Sequence, residues 1–196
     1  ATEKPSFKAR WGILVNIRSC DQTMKILITI AQLLGLGILV TAVVVITLWL
    51  DARGEDGPSV IFRGGVFTSG EIYQGPEPDW SFTDAIRLVE LQLDATQDSR
   101  TTFIIESNGR IFVTSDYMGT SLGRMWKKWA VEAAEGDGAA EIRIGNTRYL
   151  RTMRRITQGP ELDWVIEKKR AKYRSLINHE LIASGEVWVF EFEPRG

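Results

Sequence analysis

The chain has 196 residues, 44% of them hydrophobic, and a formal net charge of −1. A single histidine (His179) and a single cysteine (Cys20) exclude a paired-His catalytic arrangement, a zinc site of the usual Cys/His spacing and any disulfide within the chain. Beyond residue 50, nineteen basic residues stand against twenty-three acidic ones, a net of about −4 that argues against nucleic acid as a partner.

Residues 1–25 form a basic lead, with Lys4, Lys8, Arg10, Arg18 and Lys25 against Glu3 and Asp21. Phe7, Trp11, Leu14 and Val15 fall at helical spacing. This fits a short interfacial helix with Trp11 at the membrane interface, or a tail held near anionic headgroups. Ala1 is also what remains when an initiator Met is removed before a small residue, which would make this a native cytoplasmic start.

From Ile26 to Leu50 the chain is uncharged, and Thr29, Gln32, Thr41 and Thr47 are its only polar members. A bilayer core of roughly 30 Å takes about 20 helical residues to cross, so the run predicts one transmembrane helix over 26–50. It is too long for the apolar stretch of a signal peptide, and no small-residue cleavage pattern follows. The basic excess precedes it, so the N-terminus is expected in the cytoplasm and the rest outside. The expected location is a cell membrane of the bacterial inner-membrane kind, with a periplasmic domain. Trp49 sits where an aromatic residue marks the outer interface, and Gly35, Gly37 and Thr41 form a small-residue patch suited to helix packing.

Residues 51–80, rich in Gly, Pro and acids, read as a linker, and 81–196 as one folded domain. Ser81 followed by Asp84 predicts a helix whose stripe is Phe82, Ile86, Val89 and Leu93. Thr102–Glu106 and Arg110–Thr114 predict a hairpin through Asn108-Gly109. A helix is predicted over 121–135, with Leu122, Trp126, Trp129 and Ala133 on one face and Gly136 ending it. Glu141–Ile144 and Arg148–Ile156 predict a second hairpin about Gly145-Asn146, Trp164–Glu167 a strand, and Ala171–Ser184 a helix with Tyr173, Leu176, Ile177 and Leu181 inward. The last strand, Glu186–Glu193, is apolar on both faces, with Val187 and Val189 on one and Trp188, Phe190 and Phe192 on the other. Such a strand is central, or it meets another chain. The hexapeptides Gly75–Trp80 and Gly159–Trp164 resemble each other, as shared turn chemistry would make them.

The stretch Ile104-Ile105-Glu106-Ser107-Asn108-Gly109-Arg110-Ile111-Phe112-Val113-Thr114-Ser115, then Ser121-Leu122-Gly123, Arg148-Tyr149-Leu150 and Leu162-Asp163-Trp164-Val165-Ile166, resembles the membrane-distal half of an extracytoplasmic Cache domain of the PAS-like type. The likeness spans Phe103 to Lys168. It implies an α+β fold, in which a transmembrane helix precedes a PAS/Cache-like antiparallel sheet with flanking helices, and it implies small-molecule sensing.

No nucleophile elbow, phosphate-binding glycine loop or metal-ligand cluster stands out, so neither catalysis nor a cofactor is expected. Glu135 and Asp137 flank a Gly turn but supply too few ligands for calcium. His179 reads as a surface or capping residue. Trp126 and Trp129, beside Lys127 and Lys128, are candidates for partner or ligand contact, or for core. Trp188, Phe190 and Phe192 are contact candidates too. Arg148 and Arg151 belong to a basic cluster running from Arg143 to Arg155, and a second cluster covers Lys168 to Arg174. These could meet lipid headgroups, an acidic partner or a small anionic ligand held by Arg forks, or simply be solvent-facing positions. The reading these features favour is a non-catalytic accessory subunit of a larger membrane complex, with membrane lipids and other integral subunits as partners. The alternative is an extracytoplasmic small-molecule sensor.

Overall fold

The structure, a computed structural model, describes residues 7–59 and 62–195, with side chains described at residue 22 and from residue 24 onward. The chain divides into two compact units, residues 1–48 and residues 49–196. Helix α1 runs from Phe7 to Gly54, so the basic lead is helical from Phe7; the side chain of Trp11 lies outside the described residues. From Met24 to Gly54 this helix is long and apolar enough to cross a membrane, with a mean hydropathy of 2.6 and nothing buried in its apolar window. Its threonines suit that environment. The hydroxyls of Thr29, Thr41 and Thr47 donate to the carbonyls of Lys25, Gly37 and Val43, each at 2.9 Å, so none is left unpaired. Gly35 and Gly37 have open space above them, and Gly37 and Thr41 line a shallow apolar groove with Leu33, Leu34 and Ile38.

The second unit is built on one sheet. Its strands are β1 (Glu71–Ile72), β2 (Leu88–Leu93), β3 (Asp98–Phe103), β4 (Ile105–Ser107), β5 (Arg110–Ser115), β6 (Ala139–Ile144), β7 (Thr147–Ile156) and β8 (Trp188–Pro194). The spatial order is β3-β2-β6-β7-β8-β5-β4, antiparallel throughout, with β1 pairing in parallel beside the start of β7. The sheet curls until β3, at one end, comes back to β5 near the other. Helices α2 (Ser121–Trp126), α3 (Lys128–Glu135), α4 (Glu161–Tyr173) and α5 (His179–Ala183) complete the domain. The α+β class and the antiparallel sheet with flanking helices are therefore as expected.

Two apolar clusters lie on opposite faces of the sheet. Trp80, Leu91, Ile142, Trp129, Phe190 and Phe192 belong to the first. Ile105, Phe112, Val165, Ile177, Val187 and Val189 belong to the second. Strand β8 sits between β7 and β5 and feeds both, so its two apolar faces are those of a central strand. The reading of Trp188, Phe190 and Phe192 as a contact surface is corrected accordingly. Phe190 and Phe192 are 0% and 3% exposed, and Trp188 is half-buried against the same cluster.

Both hairpins are present. Asn108 and Gly109 both adopt positive φ, at 53° and 72°, as a primed turn requires, and Glu106 accepts a hydrogen bond from the Gly109 N–H at 3.0 Å. Gly145 takes the left-handed conformation in the other hairpin.

Four sequence expectations are overturned. The helix predicted from Ser81 is one 3-10 turn, Trp80–Ala85, capped by Asp79, which accepts from the Ser81 N–H. Strand β2 follows, because Val89, Leu91 and Leu93 alternate with period two and all point into the first cluster. The strand predicted at Trp164–Glu167 lies inside α4. Pro160 precedes that helix, Glu161 and Asp163 occupy its first turn, and Arg170 and Lys172 its last, which is the charge order a helix dipole favours. The helix predicted over 171–184 is broken at Arg174, which takes φ 55°, and restarts where Asn178 caps α5. Leu176, expected inward, is consequently 87% exposed. Finally, residues 55–59 and 62–69 are no loose linker, since Phe67 is buried and Gly57 packs against Arg143 so closely that a Cβ would lie 2.1 Å from its Nη2.

Candidate functional site

The basic clusters do not form an open anion site. Arg151 is buried, bonds both carboxylate oxygens of Glu77 at 2.8 and 3.0 Å, and lies 4.8 Å from the Trp80 ring centre. Arg148 pairs with Glu141 at 2.6 Å and Arg154 with Glu191 at 2.6 Å and Glu193 at 2.5 Å. Arg143 is held by Asp56 at 2.8 Å and Glu90 at 2.5 Å, over the ring of Phe67. Lys168 bridges Asp84 and Glu106, and Lys169, itself buried, pairs with Asp116 at 2.7 Å. Arg148 thus ties β7 to β6 and Arg151 ties β7 to the loop at Glu77, which corrects their reading as partner or ligand contacts. His179 stands at the start of α5, exposed, 2.7 Å from Asp163.

The groups that stay available lie elsewhere, along the free edge of β3. The predicted helix over 121–135 is interrupted at Lys127, so Trp126 and Trp129 no longer share a face. Trp129 is 4% exposed and packs on Phe190, whereas Trp126 is 78% exposed. Leu122, Met125 and Trp126 fall on one face of α2 at i, i+3 and i+4, and all are exposed. Tyr117, at φ 66° and 71% exposed, lies beside them. Its carbonyl is so close to Gly123 that a Cβ there would sit 1.6 Å away.

Beneath this patch two cavities meet. One, of about 420 Å³, is lined by Trp49, Phe62, Arg63, Met125 and Trp126. The other, of about 450 Å³, is lined by Leu88, Phe103, Thr114 and Asp116. Arg100, Thr101, Lys127 and Trp129 line both. Strand β3 is the edge here. Ser99 exchanges two backbone hydrogen bonds with Gly64, at 3.0 and 3.1 Å, so the outward backbone groups two and four residues on, at Thr101 and Phe103, face the same open side.

The electrostatics are uneven. Asp98 bonds both Arg63, at 3.0 Å, and Arg100, at 2.8 Å, so one carboxylate serves two guanidiniums. Burial pushes the Arg100 pKa down more than Asp98 restores it. Asp98 is raised by its own burial, but Arg100 and its other hydrogen bonds more than offset this and hold it low. Lys127 has no carboxylate partner among the described residues. Two buried side-chain atoms of cavity-lining residues, Arg100 Nε and Thr114 Oγ1, have no hydrogen-bond partner among the described residues and are themselves covered. Arg63, Arg100 and Thr114 were not singled out from the sequence. The polar-apolar mix of Asp98–Phe103 was the available signal, but its first four residues were not read as strand. Among the described residues no group of His, Cys, Asp and Glu is arranged to hold a metal ion.

No family model matches the chain, and no curated protein matches it. Among solved structures, it is similar to one described as a domain-swapped dimer, with 17% identity and a TM-score of 0.40 over 55% of this chain and 81% of that one. It is also similar to an F420-H2 dependent reductase, with 15% identity and a TM-score of 0.38 over 55% of this chain and 95% of that one. Neither is named a Cache or PAS domain. The second is named a reductase, and the expectation that this chain is not an enzyme is not carried further. At such identity and overlap the likeness passes no activity, cofactor or site to this chain.

Proposed function

We propose that the chain is a membrane-tethered subunit of a larger membrane assembly, with α1 as its anchor, its domain outside the cytoplasm, and the Tyr117–Trp126 patch as its contact with a partner. The observation that carries this reading is the exposure of Tyr117, Leu122, Met125 and Trp126, each more than two-thirds accessible within ten residues of chain. An apolar cluster of this kind is costly to leave in water and marks an interaction surface. Arg124 and Lys127 border it, whereas Lys128 is paired with Glu132 at 2.9 Å, so the partner surface that fits is apolar with an acidic rim.

Solubilisation in mild detergent followed by affinity purification tests the proposal. The full chain is expected to co-purify with at least one integral membrane protein, and Leu122→Glu combined with Trp126→Glu is expected to lose it while still inserting in the membrane. A chain that runs alone, or a double variant that keeps its partner, would sink the idea. Protease added to intact spheroplasts is expected to trim the domain; protection would invert the topology.

A further inference from the structure

We propose that the cavity of about 420 Å³ beside Trp49 holds the headgroup of an anionic phospholipid of the leaflet that α1 leaves, with Arg63 and Lys127 on its phosphate and Trp49, Met125 and Trp126 against its glycerol and first chain carbons. The site rests on the reading of α1 as a membrane anchor. It is separate from the partner contact, which co-purification reads.

The height of the cavity follows from how the helix enters the domain. The apolar run closes at Trp49 and Leu50, and Ala52, within the same turn, is already buried. A Cβ on Gly65 would lie 2.6 Å from the carbonyl oxygens of both Arg53 and Glu55, so the chain leaving the helix is clamped and has no slack. At 1.5 Å per residue, Ala52 stands about 5 Å beyond Trp49 along the helix. The headgroup layer is roughly 5–8 Å deep on each side of a bilayer. A cavity with Trp49 in its wall therefore opens at headgroup height.

Its walls carry charge of one sign. Arg63, Arg100 and Lys127 line it, and no acidic residue does. Arg53 adds a further cation, 4.9 Å from the centre of the Trp49 ring. Asp98 accepts from both Arg63 and Arg100, so one carboxylate answers two guanidiniums. The donors left for a ligand are on accessible side chains. Arg63 gives Asp98 only its Nη1, its side chain is 39% exposed, and its Nε and Nη2 have no hydrogen-bond partner among the described residues. Lys127, half-buried, has no carboxylate partner among them either. Arg100 stays on Asp98 and adds charge rather than a contact. A guanidinium fork takes two phosphate oxygens, and an ammonium serves a third as a point charge.

The apolar walls decide for a lipid. Trp49, Met125 and Trp126 are all exposed and meet at this one cavity. Indole rings beside cations are what the membrane interface selects. A soluble phosphate would engage the cations and leave these surfaces in water, whereas a phospholipid covers both. A choline headgroup brings a cation of its own, for which the walls hold no carboxylate, so the headgroup that fits is anionic.

The test uses the full chain, purified in a maltoside detergent and stripped of lipid, with bound lipid counted by native mass spectrometry. Phosphatidylglycerol is expected to bind about tenfold more tightly than phosphatidylcholine of the same chains. Inorganic phosphate and glycerol 3-phosphate, at about 10 mM, are expected not to displace it, which separates a lipid from a soluble source of the same group. Arg63→Gln and Lys127→Gln are each expected to weaken phosphatidylglycerol about threefold, and together about tenfold, with melting temperatures near that of the parent because Asp98 keeps Arg100. Lys128→Gln, one residue on but paired with Glu132 and outside the cavity, is expected to bind like the parent. Should the double variant unfold, the single variants decide. The proposal is overturned if the two lipids bind alike, if either soluble phosphate displaces the lipid, or if Arg63→Gln and Lys127→Gln bind like the parent chain. A chain that carbonate washes from membranes fails the anchor reading itself, apart from these outcomes.

Discussion

Replacing Trp80 with Ala is expected to destabilise the domain by about 3–5 kcal/mol, the cost of emptying a large aromatic site in a packed core. Trp80 is fully buried. Its ring meets Tyr149 edge-on at 4.9 Å and Phe82 at 6.0 Å, and it underlies the Arg151 guanidinium at 4.8 Å. Its indole N–H donates to Glu77 at 2.6 Å, and Glu77 in turn binds Arg151. Truncation therefore leaves a void and also loosens a buried arginine from both its aromatic floor and its carboxylate. Thermal or urea unfolding of the full chain in detergent checks this. A loss under about 1 kcal/mol would mean that the loop 73–80 does not pack on the sheet.

Arg143→Met is expected to loosen the chain around Asp56 and around Thr68 and Ser69 from the sheet while leaving the rest of the domain folded. The arginine ties that segment down through the Asp56 carboxylate, the Asp56 carbonyl at 3.0 Å and the Ser69 hydroxyl at 3.1 Å, and it is anchored from below by Glu90. Breaking a buried pair costs roughly 3–5 kcal/mol. Asp56 and Glu90 are 32% and 34% exposed, so both rehydrate in the variant and the loss belongs at the lower end of that range. Hydrogen exchange should show the amides of Thr68 and Ser69, which donate to Asp56, exchanging faster, with β7 and β8 unchanged. Global acceleration would show instead that the segment is part of the cooperative core.

The same segment should respond to acid. The Ser69 hydroxyl holds the Asp56 carboxyl far below its ordinary value near 3.8; burial works against this, and the Thr68 and Ser69 N–H groups and Arg143 add to it. A carboxyl whose pKa is depressed on folding contributes stability in full above its unfolded pKa and loses it as pH falls toward the folded one. Protection of Thr68 and Ser69 should therefore decline below about pH 4 in the parent chain. In Asp56→Asn it should be low and independent of pH; an Asn variant with the parent's acid response would assign the effect to another group.

Local signals carried far in this chain. Asn108-Gly109 and Gly145-Asn146 placed both hairpins because positive φ is a property of the residue itself. The misread segments are those where two local signals compete. Trp164-Val165-Ile166 is rich in strand formers, yet Pro160, Glu161 and Asp163 before it start a helix that buries Val165 and Ile166. Phe82, Ile86, Val89 and Leu93 fit a helical stripe, but Val89, Leu91 and Leu93 fit a strand equally well, and pairing with β3 and β6 decided between them.

The candidate site was less legible. Its tryptophans and Lys127 were visible, but that Trp126 faces out and Trp129 in follows from a one-residue break at Lys127 that no periodicity marks. The arginines were visible as a cluster, and their fate was not. Glu77, Asp56 and Glu191 lie 74, 87 and 37 residues from Arg151, Arg143 and Arg154, and only the folded sheet brings them together.

The amino-acid sequence alone therefore determined the helix long and apolar enough to cross a membrane, the mixed helix-and-strand class, both hairpins and the two-faced last strand. Each rests on the conformational preference of a few neighbouring residues, or on a repeat that one element carries by itself. Only the tertiary structure decided which charges are spent on internal pairs and which are left without one. That outcome depends on the long-range pairing of strands, which brings Arg151 and Arg143 to carboxylates far away in the chain.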